Sequence, residues 1–260
     1  MSEHTACSSE RHGRVILVTG ASRGVGAETA RILGQSGATV VVNFREKAKR
    51  AETIVSEITA AGGSAWAVRA DLTDEAEVDD MFEEIERRYG ALDSIVLNAS
   101  GGLELGAASD YAMTLNRDAQ ISLADRASIH LRRGGRIVFV TSHQSHFYGQ
   151  RPVPKQYEPI ARSKRAGEDA LRGRIPNLNN RGIRLAVVSG DMIEGTTVVT
   201  LLARREPDLV DQRRELAGSL PTIREFATAV ALATESTEPS GTTVYVGGAD
   251  YVAGPPCNFS

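Results

Sequence analysis

The chain has 260 residues, of which 41% are hydrophobic, so it can bury a full core. Its formal net charge of −3 gives no basic footprint for nucleic acid or for an anionic membrane surface. No apolar run approaches the roughly 20 residues that span a bilayer. The two cysteines, Cys7 and Cys257, are too few for a disulfide framework. We therefore expect a cytoplasmic protein without nucleic-acid or membrane partners.

Strand-like and helix-like segments alternate from Arg14 onward. The predicted strands are 15–18, 39–44, 65–72, 94–97, 136–141, 183–188 and 242–246, with helical spacing over 24–34, 46–61 and 74–89. Right-handed crossovers place the intervening helices on both faces of a parallel sheet. The pattern therefore predicts an α/β protein with a Rossmann-type doubly wound sheet of about seven strands. We expect a single domain over residues 14–260, preceded by a disordered tail over residues 1–13.

A glycine-rich segment, Thr19–Gly26, connects the first predicted strand to the first predicted helix. Glycines let the backbone turn tightly and approach a pyrophosphate, and the helix that follows offers free N–H groups to phosphates. A glycine trio alone also fits an ordinary tight turn, but the strand before it and the helix after it favour dinucleotide binding. The predicted contacts in this turn are Gly20, Ser22, Arg23, Gly24, Val25 and Gly26.

Motifs along nearly the whole chain resemble those of the short-chain dehydrogenase/reductase superfamily. They are Thr19-Gly20-x3-Gly24-x-Gly26, Asp71-Leu72, Asn98-Ala99-Ser100-Gly101, Asn116, Ser142 and Ser189-Gly190. Two of them depart from the family pattern, because Leu97 replaces an asparagine and Ser189 a proline.

This resemblance implies an oxidoreductase that uses a nicotinamide cofactor and assembles as a homodimer or homotetramer. It implies that Asp71 and Leu72 hold the adenine and that Asn116 and Ser142 belong to the catalytic group. Further cofactor contacts implied by the resemblance are Asn98, Ala99, Ser100, Lys164, Ser189, Gly190 and Thr196.

The end of the second predicted strand, Asn43-Phe44-Arg45, has no acidic residue before Glu46. A Rossmann site selective for NAD places an acidic residue there to bind the ribose 2′-hydroxyl. Guanidinium groups suit phosphate oxygens, and Arg23 and Arg45 match the positions where NADP-using relatives carry basic residues. We therefore predict NADP(H) as the cofactor, contacted by Asn43 and both arginines. The alternative is that both arginines are solvated surface residues.

The Tyr-x3-Lys motif of the superfamily is altered in this chain. Ser163-Lys164-x-Ala166 matches the family, so Lys164 is the predicted partner of the nicotinamide ribose. Four residues before it stands Ile160, which has no proton to donate. Tyr157 lies seven residues before Lys164, and this Tyr-x6-Lys spacing resembles that of the enoyl-acyl-carrier-protein reductases. We predict that Tyr157 is the catalytic acid.

Helical geometry permits this spacing, because seven residues are close to two turns and return both side chains to one face. Pro159 disfavours a helical conformation at Glu158, so we expect Tyr157 to lie just outside the helix. An alternative is that Tyr157 is only a packing residue.

The predicted function is NADPH-dependent reduction of a carbonyl or a conjugated enoyl group, on a small-molecule or acyl-thioester substrate. Ser142 favours a ketone, and the Tyr-x6-Lys spacing favours an enoyl group. A catalytically silent NADP-binding sensor or scaffold is the alternative, since Ile160 replaces the usual acid. We predict no metal site, and the roles of His143 and His146 remain open.

Overall fold

The computed structural model describes residues 13–102, 106, 108–205 and 207–253. The predicted N-terminal tail therefore lies outside the described residues, apart from Gly13. The strands are β1 (Val15–Val18), β2 (Thr39–Phe44), β3 (Ser64–Arg69), β4 (Leu92–Leu97), β5 (Leu131–Ser142), β6 (Arg184–Gly190) and β7 (Thr243–Val246).

The helices fall between these strands and after the last one. They are α1 (Gly24–Gln35), α2 (Ala48–Ala60), α3 (Glu75–Tyr89), α4 (Tyr111–Met113), a π-helical turn (Thr114–Asp118), α5 (Ala119–His130), α6 (His143–His146), α7 (Glu158–Gly173), α8 (Ile175–Asn180), α9 (Thr197–Arg205), α10 (Pro207–Ala217), α11 (Ile223–Ala233) and α12 (Ala249–Ala253). None of the helices in the described ranges is long and apolar enough to cross a membrane.

The seven strands form one parallel sheet in the order β3-β2-β1-β4-β5-β6-β7. The order reverses between β1 and β4, which places a crevice at the carboxyl ends of these two strands. The predicted doubly wound sheet of about seven strands is thus confirmed.

Both faces of the sheet are covered by apolar side chains, as β1 illustrates. All four of its residues are buried. Val15 and Leu17 pack toward α3 and α5, whereas Ile16 and Val18 pack toward α1, α2 and α11. Because side chains alternate along a strand, a continuous apolar run is the pattern of a strand buried on both faces.

Several predicted boundaries were wrong by a few residues. Strand β3 ends at Arg69, not residue 72, because the Asp71 N–H donates to the Glu77 carboxylate (2.6 Å) and the chain turns toward α3. Strand β5 begins at Leu131, five residues earlier than predicted, where Gly134 and Gly135 obscure the strand pattern. Strand β6 continues to Gly190, which pairs with Ser142.

Helix α7 begins at Glu158, so the expectation that Pro159 would exclude Glu158 from the helix was wrong. Proline fits the first turn of a helix, where N–H groups have no helical partner. Tyr157 is the N-cap residue, just outside the helix as predicted, and its carbonyl accepts from Ala161 N at 2.9 Å. The first helical hydrogen bond therefore fixes the position of Tyr157.

Helix α7 approaches the π-helical turn closely at Gly167. A Cβ atom at this position would lie inside van der Waals contact with the carbonyl oxygen of Asn116, a backbone atom that cannot rotate away. The same helix ends at Gly173, where an added Cβ would meet no atom within 4 Å.

We expect Gly167→Ala to lower the free energy of unfolding by about 1–3 kcal/mol, because overpacking forces the two helices apart. Gly173→Ala should leave it unchanged or raise it by about 0.5 kcal/mol, since alanine restricts the unfolded chain. Urea unfolding of both variants beside the unmodified protein measures the difference. Equal stability of the two variants would contradict the close approach.

Candidate active site

A cleft of about 420 Å³, here called the central cleft, opens at the carboxyl ends of the strands. Its lining comes from the turn after β1, the loop after β4, the end of β5, helix α7 and the segment from the end of β6 into α9. Eight residues predicted for the site line it: Arg23, Val25, Asn98, Ser100, Ser142, Tyr157, Lys164 and Thr196.

The glycine turn has a backbone conformation that suits glycine, and it packs closely against the loop after β4. Gly20 and Gly24 have φ angles of 62° and 56°, which residues with a side chain rarely adopt. A Cβ at Gly26 would lie 2.5 Å from the Asn98 amide nitrogen. Helix α1 begins after Arg23 without a side-chain cap, so its first N–H groups remain available.

Thr19 and Asn98 join this turn to the loop after β4. The Thr19 hydroxyl donates to Val96 O (3.1 Å) and accepts from the N–H groups of Asn98 (3.0 Å) and Ala99 (3.1 Å). The Asn98 amide donates to Thr19 O at 2.9 Å. Asn98 therefore braces the turn besides lining the central cleft.

Asn43 is buried and supports the turn instead of facing the central cleft. Its Oδ1 accepts from Gly20 N (3.2 Å), and its Nδ2 donates to Ala70 O (3.2 Å). Asp71 lies nearby, where its carboxylate accepts from the backbone and hydroxyl of Thr73 at 3.0 and 2.7 Å. Leu72 beside it is buried.

The two arginines of the predicted phosphate site differ in their surroundings. Arg45 hydrogen bonds to the Tyr111 hydroxyl and pairs with Glu46 at 3.1 Å. Burial opposes its charge, but Tyr111, Glu46 and Asp71 outweigh that effect and raise its pKa. Arg23 is exposed, and within the described ranges its guanidinium has no hydrogen-bond or ion-pair partner. Arg23 is thus the better placed of the two to meet a phosphate.

Ser142 and Tyr157 form a hydroxyl pair in the central cleft. Their oxygens lie 3.1 Å apart, although fifteen positions separate them in the chain. Ser142 Oγ also accepts from Ser145 N (3.2 Å) and lies 2.9 Å from Ser145 Oγ. Burial raises the pKa of the Tyr157 phenol, and the two serines offset this only in part. The phenol is therefore held in its protonated form.

Lys164 lies in α7, seven positions after Tyr157, and lines the same cleft. It is 8% exposed, and burial lowers its pKa to about 8, while the Glu168 carboxylate one turn later opposes this shift. Ile160, at the position of the usual acid, also lines the cleft and packs against Tyr157. Helix α7 and its N-cap residue thus direct a phenol, an apolar side chain and an amine toward one space.

Asn116 is buried in the π-helical turn and lies behind the lining of the central cleft. Its amide donates to Gly101 O (2.9 Å) and Ser163 Oγ (3.0 Å), and its Oδ1 accepts from Gly101 N (3.2 Å). It therefore ties the loop after β4 to the residue next to Lys164.

His143 has a structural environment that the sequence did not indicate. Its Nε2 donates to Gly247 O (3.0 Å), and burial lowers its pKa, so the neutral ring accepts from Ser189 Oγ at 2.8 Å through Nδ1. Ser189 is fully buried, and its hydroxyl group is engaged in this hydrogen bond. Gly190 is equally enclosed, since a Cβ there would lie 2.5 Å from the Phe226 ring.

His146 belongs to a second buried network. Its Nδ1 donates to Glu168 (2.8 Å), and its Nε2 lies 3.0 Å from the Tyr245 hydroxyl. Arg172 also donates to Glu168 at 2.8 Å. Both histidines are thus held by hydrogen bonds, and the described part of the chain contains no group of three residues suited to a metal ion.

Several of the predicted cofactor residues do not line the central cleft themselves. They are Gly20, Ser22, Gly24, Gly26, Asn43, Arg45, Asp71, Leu72, Ala99, Ser189 and Gly190. Most of them lie in the turn or at the strand ends beside it, where a dinucleotide extends in this fold.

Residues of the cleft that motif comparison missed include Gln144, Ile193 and Phe226. Arg213 was missed too. It is buried and binds Asp191 (2.7 Å) and Asp250 (2.7 Å), which lie 22 and 37 positions away. Such spacings leave no local sequence signal.

The sheet order, the uncapped helix after the glycine turn and the cleft at the strand ends define a doubly wound α/β protein with a site shaped for a dinucleotide. The sequence profile of the short chain dehydrogenase family matches residues 14–207, and the chain belongs to this family.

One curated relative is the hydroxynaphthalene reductase-like protein Arp2 of Metarhizium robertsii, which is 41% identical over 143 residues. The match covers 53% of this chain and 54% of Arp2, so the chain spans about half the length of this relative. Among solved structures, the promiscuous reductase LugOII, which catalyses keto-reduction at C1 during lugdunomycin biosynthesis, is 27% identical with a TM-score of 0.77. The match covers 91% of this chain and 97% of LugOII.

The angucycline C-6 ketoreductase LanV, solved with bound NADP, is 28% identical to this chain. The two structures superpose with a TM-score of 0.76 over 90% of this chain and 95% of LanV.

The buried amine of Lys164 predicts a pH dependence of stability. Its pKa is lowered to about 8 from 10.5, so burying the charged form destabilises the fold at and below pH 8. The buried amine of the folded protein loses its proton near pH 8, and the amine of the unfolded chain loses its proton near pH 10.5. The penalty therefore disappears as pH rises from about 8 to 10.5. The free energy of unfolding, taken relative to Lys164→Met, should rise by about 3 kcal/mol across that window.

Denaturant titrations of both proteins without cofactor at half-unit pH steps measure this difference. Other titrating groups are common to the two proteins and cancel. A difference that stays constant from pH 8 to 10.5 would contradict a desolvated amine at Lys164.

Proposed function

We propose that this protein is an NADPH-dependent ketoreductase in which Tyr157 donates the proton. The observation that carries the proposal is the 3.1 Å contact between the Tyr157 and Ser142 hydroxyls inside the central cleft. A serine at the end of β5 and a tyrosine beside it give a carbonyl oxygen two hydrogen-bond donors, although the tyrosine stands at a shifted position in the sequence.

The residues present fit a dinucleotide. Gly20 and Gly24 give the turn its positive φ angles, and the space beside Gly24, where an added Cβ would meet no atom within 4 Å, leaves room for a pyrophosphate at the uncapped start of α1. Arg23 would meet the 2′-phosphate of NADP and Lys164 the nicotinamide ribose. When bound, the cofactor supplies a hydride to the carbonyl carbon.

The side chains of the chain supply the proton and hold the carbonyl. The raised pKa of Tyr157 keeps its O–H proton available at neutral pH. The phenol gives this proton to the carbonyl oxygen as the carbon is reduced, and the product is an alcohol. Ser142 orients the same oxygen, and the ammonium group of Lys164 in the cleft favours the negative charge left on Tyr157.

A ketone is supported over an enoyl group by Ser142 and by the relatives. LugOII and LanV are both described as acting on keto groups. The Tyr-x6-Lys spacing alone supports an enoyl substrate. The name of the Metarhizium relative refers to hydroxynaphthalene, a molecule of two fused rings. We therefore propose that the substrate is a cyclic ketone whose carbonyl belongs to a fused-ring system.

Tyr157→Phe should lower kcat by about 10²–10⁴-fold on a reducible cyclic ketone, because the proton donor is lost while the ring that packs on Ile160 remains. NADPH affinity should change less than twofold. NADPH oxidation at 340 nm and cofactor fluorescence measure the two quantities.

Tyr148→Phe is the matched control, since its hydroxyl donates to Glu158 (3.2 Å) instead of Ser142, and its activity should match the unmodified protein. An enoyl thioester in the same assay separates the two reductions. Binding of NADPH with no turnover of either substrate class would support the silent sensor or scaffold. Full activity of Tyr157→Phe would remove Tyr157 from the mechanism.

Arg23→Ala tests the cofactor. A lost charge-assisted hydrogen bond to a phosphate costs about 1.5–3 kcal/mol, so NADPH affinity should fall at least tenfold while NADH affinity changes less than twofold. Arg50→Ala is the control, because Arg50 is exposed on α2 away from the central cleft. Equal losses for both cofactors would place Arg23 away from the 2′-phosphate.

A further inference from the structure

A second cleft of about 440 Å³, here called the distal cleft, lies beside the central cleft. Its lining includes Pro152, Val153, Leu209 and Tyr251, together with Gln144 and Met192, which line both clefts. Gln144 and Met192 therefore form the boundary between the two spaces. No step of the proposed reaction uses the distal cleft.

The central cleft must hold more than a substrate. Arg23, Val25 and Asn98 in its lining belong to the predicted cofactor site, so the cofactor takes part of its 420 Å³. Pockets for drug-sized ligands are usually about 300–1,000 Å³. A substrate much larger than one ring therefore needs space beyond the central cleft, and the distal cleft adjoins it at Gln144.

The distal cleft is linked to the reacting groups through the chain. Residues 151–154 of its wall lie in the connection between Ser142 and Tyr157, and Pro154 O accepts from Tyr157 N at 2.8 Å. A molecule held there would lie next to the segment that positions the phenol.

Another part of the lining is held in place by Arg213. Its guanidinium binds Asp191 and Asp250 and lies 4.6 Å above the centre of the Tyr251 ring. Two carboxylates thus neutralise this cation. The other arginine of the lining, Arg151, donates to Tyr251 O at 3.3 Å.

Arg213 is therefore neutralised, Arg151 already has a partner, and most of the other lining residues are apolar, which together favour an uncharged occupant. The rings of Pro152, Pro154 and Tyr251 are rigid apolar groups in the lining of the distal cleft. A rigid ring system loses less conformational entropy there than a flexible chain. Gln144 is buried at the boundary and can bond an oxygen on such a ring system, which would satisfy its amide.

We propose that the distal cleft binds the part of the substrate remote from the reacting ketone, and that this part is an uncharged fused-ring system. The proposal rests on the proposed function and adds that the whole substrate has at least three rings. Leu209 and Gln212 of α10 then act as specificity-determining residues.

Calorimetry in the presence of NADP⁺ compares 1,8-dihydroxyanthraquinone, which has three rings, with 1,3-dihydroxybenzene, which has one. The three-ring ligand should bind at least tenfold more tightly. Gln212→Trp and Leu209→Trp narrow the distal cleft, and at least one should weaken the three-ring ligand tenfold or more. Both should change one-ring affinity less than twofold. Glu215→Trp is the matched control on an exposed position of α10 outside both linings, and it should change neither affinity.

Three outcomes would overturn the proposal: no preference for three rings, equal weakening of both ligands, or no effect of either narrowing variant. Tighter binding of 2-decanone than of the three-ring ligand would overturn its fused-ring part. Thermal melts of each variant verify folding. The binding measurement needs no hydride transfer, so the two proposals can fail separately. Preference for three rings without any turnover would contradict only the proposed reductase. Turnover without a preference for three rings would contradict only this inference.

Discussion

The hydrogen bonds between Thr19 and the loop after β4 hold together the two strand ends from which the site is built. One hydroxyl bonds three backbone groups at the point where the strand order reverses. The Asn98 amide returns a bond to the glycine turn and occupies the space that a side chain at Gly26 would fill. The turn, the loop and the start of α1 are therefore fixed relative to one another before any ligand binds.

Helix α7 depends on that frame and extends it to Tyr157 and Lys164, the proposed reacting groups. Gly167 lets the helix pack against Asn116, whose amide bonds both the loop after β4 and Ser163. Lys164 follows Ser163 directly, so its amine is positioned by contacts that begin at the sheet. Tyr157 is the N-cap residue and precedes the first turn of α7. A phenol at position 157 instead of 160 therefore leaves the contacts of Gly167, Asn116 and Ser163 in place.

Much of this could be predicted from the sequence, since the relevant signals are local. The apolar run Val15–Val18 followed by the glycine turn predicts both the central strand and the dinucleotide site. Boundaries failed where a side-chain contact that the strand pattern does not show decides them, as when the Glu77 carboxylate binds Asp71 N beyond the end of β3. The roles of Ser189 and His143 were hidden for the same reason, because their contact joins residues 46 positions apart.

The replacement of the usual acid by Ile160 has a consequence for the shape of the site. An isoleucine there packs against Tyr157 and gives the cleft an apolar surface where the Tyr-x3-Lys pattern would place a hydroxyl. The Tyr157 phenol then enters the central cleft beside residues 151–154, the segment that also lines the distal cleft. The position of Tyr157 and the segment 151–154 are linked through the hydrogen bond from Tyr157 N to Pro154 O, which brings the proposed proton donor next to the space proposed for the remote rings of the substrate.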